Sequence, residues 1–242
     1  MKVAIMQPYF FPYAGHFSLI AHADKWIVFD VTQYTPKSWI SRNRVLHPVQ
    51  GWNWINVPLS NSSISIKIHE ASILNLEKAK ESVLGKLTHY RKKAPYYGKV
   101  IGLIEEVFAL SSGDKSLVNL NVHSLDVVCR YLDIPFNRSI CSELNLALDN
   151  HYRPREWALA ICQKLGYQHY INPLGGKGIF NHHLYRQAGV TLEFLSPPVL
   201  QYSTPSYIFE RELSIVDVLM WNEPKKIRED LMKGRLISAD DG

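Results

Sequence analysis

The sequence predicts an α/β fold built on a mainly parallel sheet, and three observations carry that prediction. Residues 2–6 (KVAIM) and 25–31 (KWIVFDV) are short apolar runs of the kind that form buried strands. Residues 14–23 between them carry a helical pattern, so strand, helix and strand follow one another as a parallel crossover does. Strand and helix patterns alternate again from residue 138 to the end of the chain. The loop after the first strand then opens at the carboxyl edge of the sheet, where ligands of open α/β sheets bind.

Taken in order, residues 52–59 and 64–68 alternate apolar and polar side chains on either side of SNSS, which predicts a hairpin. Residues 74–91, 96–110 and 115–132 have apolar residues at three and four spacing, with Ser111, Ser112 and Gly113 as a break. A strand is expected at 138–142 and a helix at 154–165, with Pro154 in its first turn and Gly166 at its end. There follow a strand at 169–172, a glycine-rich loop, a helix at 180–187, a strand at 191–195 and helices at 214–221 and 224–233. No internal repeat or low-complexity segment interrupts the pattern. The expected organisation is a single α/β domain over 1–242, with residues 72–135 as a helical subdomain; a homo-oligomer is left open.

The chain has 242 residues, 46% hydrophobic and 20% charged, enough to bury a full core and far from the composition of disorder. No window approaches the roughly 20 apolar residues of a spanning helix. The apolar start is cut by Gln7 and Pro8 with no small-residue cleavage site after it, so a cytoplasmic protein without membrane insertion is expected. Cys129, Cys141 and Cys162 are odd in number and far apart, which indicates core residues and not a disulfide framework or a paired-cysteine zinc site. A net charge of +5 favours anionic partners. Residues 86–99 (KLTHYRKKAPYYGK) hold five cations, no acid and three tyrosines. Such a stretch either grips a phosphate backbone and stacks a base or is a solvated helix end.

Three clusters carry candidate chemistry. In QPYFFPYAGH, after the first strand, Gln7 offers donors and acceptors, Tyr9 and Tyr13 offer aromatic faces, and His16 stands near a helix N-terminus that favours an anion. In DVTQYTPKSWISRNR, after the second strand, Asp30 is a candidate base or amine ligand, and Lys37, Arg42 and Arg44 are candidate phosphate ligands beside Gln33 and Asn43. After the 169–172 strand, Asn172, Gly175, Gly176 and Lys177 form a small cradle suited to a phosphate or carboxylate, although the Walker A spacing is absent. The opposing reading makes His16 a helix cap, Asp30 a turn former and the cations solvent-facing. His151 and Arg153 are expected at most to cap a helix. His182 and His183 point to different sides of a helix, so no metal site is predicted. No Gly-x-Ser-x-Gly elbow or Gly-x-Gly-x-x-Gly occurs, which argues against hydrolase and oxidoreductase readings.

The spacing Tyr13-x-Gly15-His16 resembles the His-x-Gly-His signature of nucleotidyltransferases, with a tyrosine in place of the first histidine, and this implies a nucleotidyltransferase-like, Rossmann-like N-terminal half. Over nearly its whole length the chain resembles the WbqC-like family, small bacterial proteins of O-antigen and other surface-polysaccharide gene clusters. The likeness rests on MQPYFFPYAGHFSLI (6–20), FDVTQYTPKSWISRNRV (29–45), ICQKLGYQHYINPLGGKGIF (161–180) and LSIVDVL (213–219). It departs at His16, where family members commonly have tyrosine, and at Pro173 and Leu174 before the glycines. The resemblance implies a transferase of O-antigen and lipopolysaccharide biosynthesis that attaches glycine or a similar acyl group to the amine of a nucleotide-linked amino sugar. Joined to the clusters, it predicts no tightly bound cofactor, ATP with magnesium as co-substrate, Gln7, Tyr13 and His16 on the ATP phosphates, Lys37, Arg42 or Lys177 on the pyrophosphate, and Asp30 orienting glycine or the amine. Aminoacyl-tRNA as the donor, gripped by 86–99, is the second enzymatic version. A non-catalytic sugar-nucleotide or RNA-binding protein is the third reading; it predicts ligand binding without turnover.

Overall fold

The apolar run near the N-terminus becomes the central strand of a six-stranded sheet. The computed structural model describes residues 1–149 and 152–239, so His151 lies outside the described residues. The strands of the main sheet are β1 (Val3–Met6), β2 (Lys25–Val28), β5 (Arg138–Ile140), β6 (His169–Pro173), β7 (Thr191–Ser196) and β8 (Arg235–Ser238), in the spatial order β5-β2-β1-β6-β7-β8. Five run parallel and β8 is antiparallel to β7. Counted within this sheet alone the order is 3-2-1-4-5-6, that of doubly wound nucleotide-binding folds, whose switch point lies between the first and fourth strands, here β1 and β6.

Alternation along the strands decides the two faces. Val3, Ile5, Ile27, Tyr170, Leu192 and Phe194 pack with Ala158, Ile161, Cys162 and Tyr185 of helices α5 (Trp157–Leu165) and α6 (His182–Gln187). Ala4, Trp26, Val28, Ile171 and Leu195 face the other way, in a second cluster with α1 (Ala14–His22), α7 (Ile215–Trp221) and α8 (Pro224–Leu231). The same cluster takes in the middle helices α2 (Leu76–Leu87), α3 (Tyr97–Leu110) and α4 (Leu117–Tyr131). Local chemistry sets the helix ends: Asn75, Ser116, Asn181 and Ser214 accept N-cap hydrogen bonds, Pro224 opens α8, and Gly166 closes α5 in the left-handed region at φ +73°. All three cysteines are buried and free.

The structure corrects the expected hairpin. β4 (Trp52–Asn56) pairs not with 64–68 but with β3 (Arg42–Leu46), antiparallel, around a turn closed by His47 and Gly51. The reason lies in the facing side chains, because Arg44 opposes Trp54 and Leu46 opposes Trp52 in register, cross-strand pairs that reward this register. β8 was hidden in the sequence by its length of four residues, and α5 starts at Trp157, beyond Pro154. Among the described residues no helix is long and apolar enough to cross a membrane, and no group of three or more His, Cys, Asp or Glu is placed to hold a metal ion.

Candidate functional site

A cleft of about 320 Å³ lies at the switch point, with Met6 from the end of β1 and Pro173 from the end of β6 in its wall. The loop 7–13 contributes Tyr9, Pro12 and Tyr13, the approach to β3 contributes Trp39, β3 contributes Asn43 and Arg44, and Glu212 closes one side. Past Tyr13 and Glu212 the space continues into a second depression beneath residues 197–213, a segment without regular secondary structure.

The loop is held by amides and a hydroxyl that take up its carbonyls. Asn43 Nδ2 donates to Phe10 O and Phe11 O, each at 3.0 Å, and Asn121 Nδ2 from α4 donates to Pro8 O at 2.8 Å. Ser214 Oγ donates to Phe11 O at 2.7 Å. Both asparagines are buried, so removing either leaves carbonyls without donors in a dry environment. Asn43→Ala and Asn121→Ala are therefore each expected to cost about 1–3 kcal/mol, lowering Tm by about 2–12 °C in a calorimetric or fluorescence melt. Phe11 (φ +39°), Lys37 (φ +56°) and Glu212 (φ +54°) all adopt the left-handed region although none is glycine, and Phe11 and Glu212 flank the cleft. Strain of this kind collects at functional sites.

Charge and shape are both present in the cleft. Arg44 is half-buried, its guanidinium carbon 5.2 Å from the centre of Trp39 and 5.3 Å from that of Trp52, and its terminal nitrogen donates to the Glu212 carbonyl at 3.2 Å. Its Nε is buried with no acceptor. Burial, then the Glu212 carboxylate and Tyr9, push the Tyr13 hydroxyl above its ordinary pKa, and burial does the same to Tyr9, so both phenols stay protonated donors. Gly15 is required by the close packing of Tyr13: a Cβ there would stand 2.4 Å from the ring.

The structure brings Tyr9, Tyr13, Asn43 and Arg44 to one cleft and distributes the other sequence candidates elsewhere. His16 is 1% exposed, nested against Trp26 (4.9 Å), Tyr9 (5.5 Å) and Phe17 (6.5 Å) with neither ring nitrogen hydrogen-bonded, and burial pulls its pKa down to about 3. A neutral imidazole in the core does not touch a phosphate, so the expected contact with ATP is corrected. Asp30 is fully buried and accepts from Ser142 N (2.9 Å) and Ser142 Oγ (2.6 Å), tying the end of β2 to the end of β5. Burial raises its pKa against the opposing hydrogen bonds. It fastens two strands instead of meeting an amine.

Gln7 and Gln33 line a neighbouring groove of about 600 Å³, with Tyr152 and Trp157 also in its wall. Gln7 donates to Thr32 Oγ1 at 3.4 Å and Gln33 to the Ile64 carbonyl. Lys37 and Arg42 sit in a third depression, the Arg42 guanidinium 3.9 Å over Trp54. Asn172 is buried, accepting from Tyr170 and donating to the Pro173 carbonyl, and Gly176 is needed because a Cβ would meet its amide at 2.2 Å. Gly175, Gly176 and Lys177 form a 3-10 turn over 174–179 and do not reach the cleft wall. Of the 86–99 tyrosines, Tyr90 is fully buried and donates to Asp217. Sequence reasoning missed Trp39, Asn121 and Glu212. Asn121 left a signal, a carboxamide on the apolar face of a helix, whereas Glu212 left none.

Comparison with known proteins gives one family. The sequence profile described as the WbqC-like protein family matches residues 7–229. An uncharacterized protein of Mycobacterium tuberculosis (strain ATCC 25618 / H37Rv), Rv1507c, is 26% identical over 220 residues, covering 90% of this chain and 92% of its own. No solved structure matches the chain.

Proposed function

The chain belongs to the WbqC-like protein family, and from that premise we propose that its switch-point cleft is the acceptor site of a transferase acting on a nucleotide-linked amino sugar. The observation that carries this reading is the convergence, at one end of a doubly wound sheet, of three aromatic rings, a guanidinium without a carboxylate partner among the described residues, and one exposed carboxylate. Tyr9, Tyr13 and Trp39 offer faces for a sugar or base to stack on. Arg44 offers a planar donor fork for a diphosphate. Glu212 supplies the opposite charge, which suits the ammonium of the amino sugar.

The step is amide formation with glycine or a similar acyl group. The ammonium gives a proton to Glu212, the freed nitrogen attacks the acyl carbonyl, and the bond from that carbonyl to its leaving oxygen breaks. As the nitrogen becomes an amide it sheds a second proton: with an aminoacyl ester the leaving ribose oxygen takes it up, and with an adenylate AMP leaves and the proton passes to solvent. The 600 Å³ groove beside Gln7, with its Trp157 and Tyr152 rings, favours a second reading in which ATP and magnesium activate the amino acid there. Both readings place the protein in surface-polysaccharide, O-antigen-type assembly in the cytoplasm.

The test is binding followed by turnover. At 100-fold excess over Kd, a nucleoside-diphosphate amino sugar is expected to stabilise the fold by about 2.7 kcal/mol and to raise Tm by about 5–10 °C. The free amino sugar and the nucleoside diphosphate alone should each do less. Glycine-dependent exchange of pyrophosphate into ATP identifies the adenylate route. A mass gain of one glycyl group with glycyl-tRNA and no ATP identifies the ester route. No response to any sugar nucleotide overturns the acceptor site, and binding without either product leaves a non-catalytic sugar-nucleotide-binding protein.

A further inference from the structure

Two cationic stretches that lie far apart in the sequence are joined in the fold. β3 carries Arg42 and Arg44 on one face, and at its end the Leu46 N–H donates to the buried Tyr90 hydroxyl at 2.9 Å, which fastens the end of the strand to the basic 86–99 stretch. From that stretch Lys93 reaches Ser206 Oγ at 3.3 Å, and the Tyr207 hydroxyl donates to the His89 carbonyl at 2.9 Å. Ser206 precedes Glu212 of the cleft by six residues, a span of no more than about 22 Å.

The cations of this track lack the partners that cations have elsewhere. Lys80, Arg130 and Arg138 sit against carboxylates. Among the described residues Arg42, Arg44, Arg91 and Lys92 have none, and the buried Nε atoms of both β3 arginines have no acceptor. The arginines instead lie over Trp54, Trp39 and Trp52, and Trp39 and Trp52 remain 40% and 39% exposed. Uncompensated cations held together repel one another, and a polyanion relieves that cost. A polyanion that also carries planar groups to stack on exposed tryptophans is a nucleic acid with unpaired bases.

We propose that this track binds an RNA, its unpaired 3′ end on Arg42, Trp52 and Trp54 of the β3–β4 hairpin, beside the Arg44 and Trp39 of the acceptor cleft, and its adjoining stem on Arg91 to Lys93. Resting on the acyl-transfer reading above, this makes the donor an aminoacyl ester carried on the RNA terminus. The acceptor ammonium gives one proton to Glu212, its nitrogen attacks the ester carbonyl, the bond to the terminal ribose oxygen breaks, and that oxygen takes the second proton that the nitrogen sheds as it becomes the amide. No ATP, oxidant or reductant is consumed.

The experiment is fluorescence anisotropy on the full chain with deacylated tRNA, the same tRNA trimmed of its unpaired 3′ nucleotides, and heparin, starting at about 50 mM salt, where phosphate contacts are strong. Binding of tRNA is expected to fall linearly on a log–log salt plot. The variant Arg91→Glu, Lys92→Glu, Lys93→Glu should lower that slope by about 2–3. Trp52→Ala should weaken tRNA binding by about 5- to 100-fold with the slope unchanged. Trimming should cost the wild type affinity and leave Trp52→Ala unaffected. The altered residues are exposed, so melts close to wild type are expected. Absence of tRNA binding overturns the proposal, as does heparin binding that equals tRNA binding with no effect of Trp52→Ala, which would mark a polysaccharide or other polyanion surface. Nucleoside-diphosphate amino sugar binding on the same preparation separates the two readings. If it persists without RNA binding, only the RNA proposal falls; if RNA binds and no sugar nucleotide does, only the acceptor site falls.

Discussion

Between pH 6.5 and about 3, His16 alone is expected to remove on the order of 5 kcal/mol of stability. Its imidazole titrates near 6.5 when the chain is unfolded, and burial holds it neutral down to about 3 in the folded state. Below pH 6.5 the unfolded chain therefore binds a proton that the native state refuses. The loss runs at about 1.4 kcal/mol per pH unit until the folded group also protonates, and above pH 6.5 it is absent. Asp217 acts in the opposite sense. It is fully buried, accepts from Tyr90 at 2.5 Å and Tyr202 at 2.6 Å, and titrates at about 6 in the fold against 3.8 outside it. Its protonation thus favours the native state as pH falls from 6 to 3.8 and hides much of the His16 slope in the wild type. Urea unfolding of His16→Phe beside wild type at pH 7, 5 and 4 isolates the histidine. The variant should match or exceed wild type at pH 7, since only a desolvated ring without hydrogen bonds is lost from an aromatic nest, and its advantage should widen with acid. A constant difference across that range would show that the imidazole takes up protons in the folded protein. Catalytic turnover should survive the substitution, because a core imidazole stabilises no phosphate.

Arg44→Gln is expected to weaken binding of a nucleoside-diphosphate amino sugar by about 10- to 150-fold, the range of a lost charge-assisted hydrogen bond of about 1.5–3 kcal/mol. Arg44→Lys should recover only part of the loss. A lysine keeps the charge but has neither the planar fork that matches a diphosphate nor the flat face that stacks on Trp39 and Trp52. Titration calorimetry measures both variants, and equal affinity in Arg44→Gln and wild type would remove the guanidinium from the site. Glu212→Gln is expected to weaken amino sugar binding, because the ammonium loses its counter-charge, and to lower turnover further, because the amide cannot accept the ammonium proton.

The clusters differed in how far the sequence exposed them. Tyr9 and Tyr13 could be read because a loop at the end of the first strand of a parallel crossover must open at the carboxyl edge, and Arg44 because it follows the second strand at the same edge. The β3 strand could not, since its charged arginines alternate with Asn43, and a buried asparagine in a polar run looks like a loop until its two carbonyl partners are known. His16 follows a loop of functional character, yet α1 turns its side chain toward Trp26 and away from the cleft. That direction depends on packing across the sheet, which local spacing does not record.

What the sequence determined by itself is the class of fold, most of its helices, the central strands and the edge at which a ligand meets them. These follow from short-range periodicity and from the handed geometry of the crossover, both of which are local. Tertiary structure alone decided which candidates share a cleft, which are sealed in the core, and that the end of β3 meets Tyr90 of the 86–99 stretch. The physical reason is that burial and charge pairing are set by contacts between residues distant in the chain, such as Leu46 with Tyr90 and Asn121 with Pro8, and no local pattern encodes them.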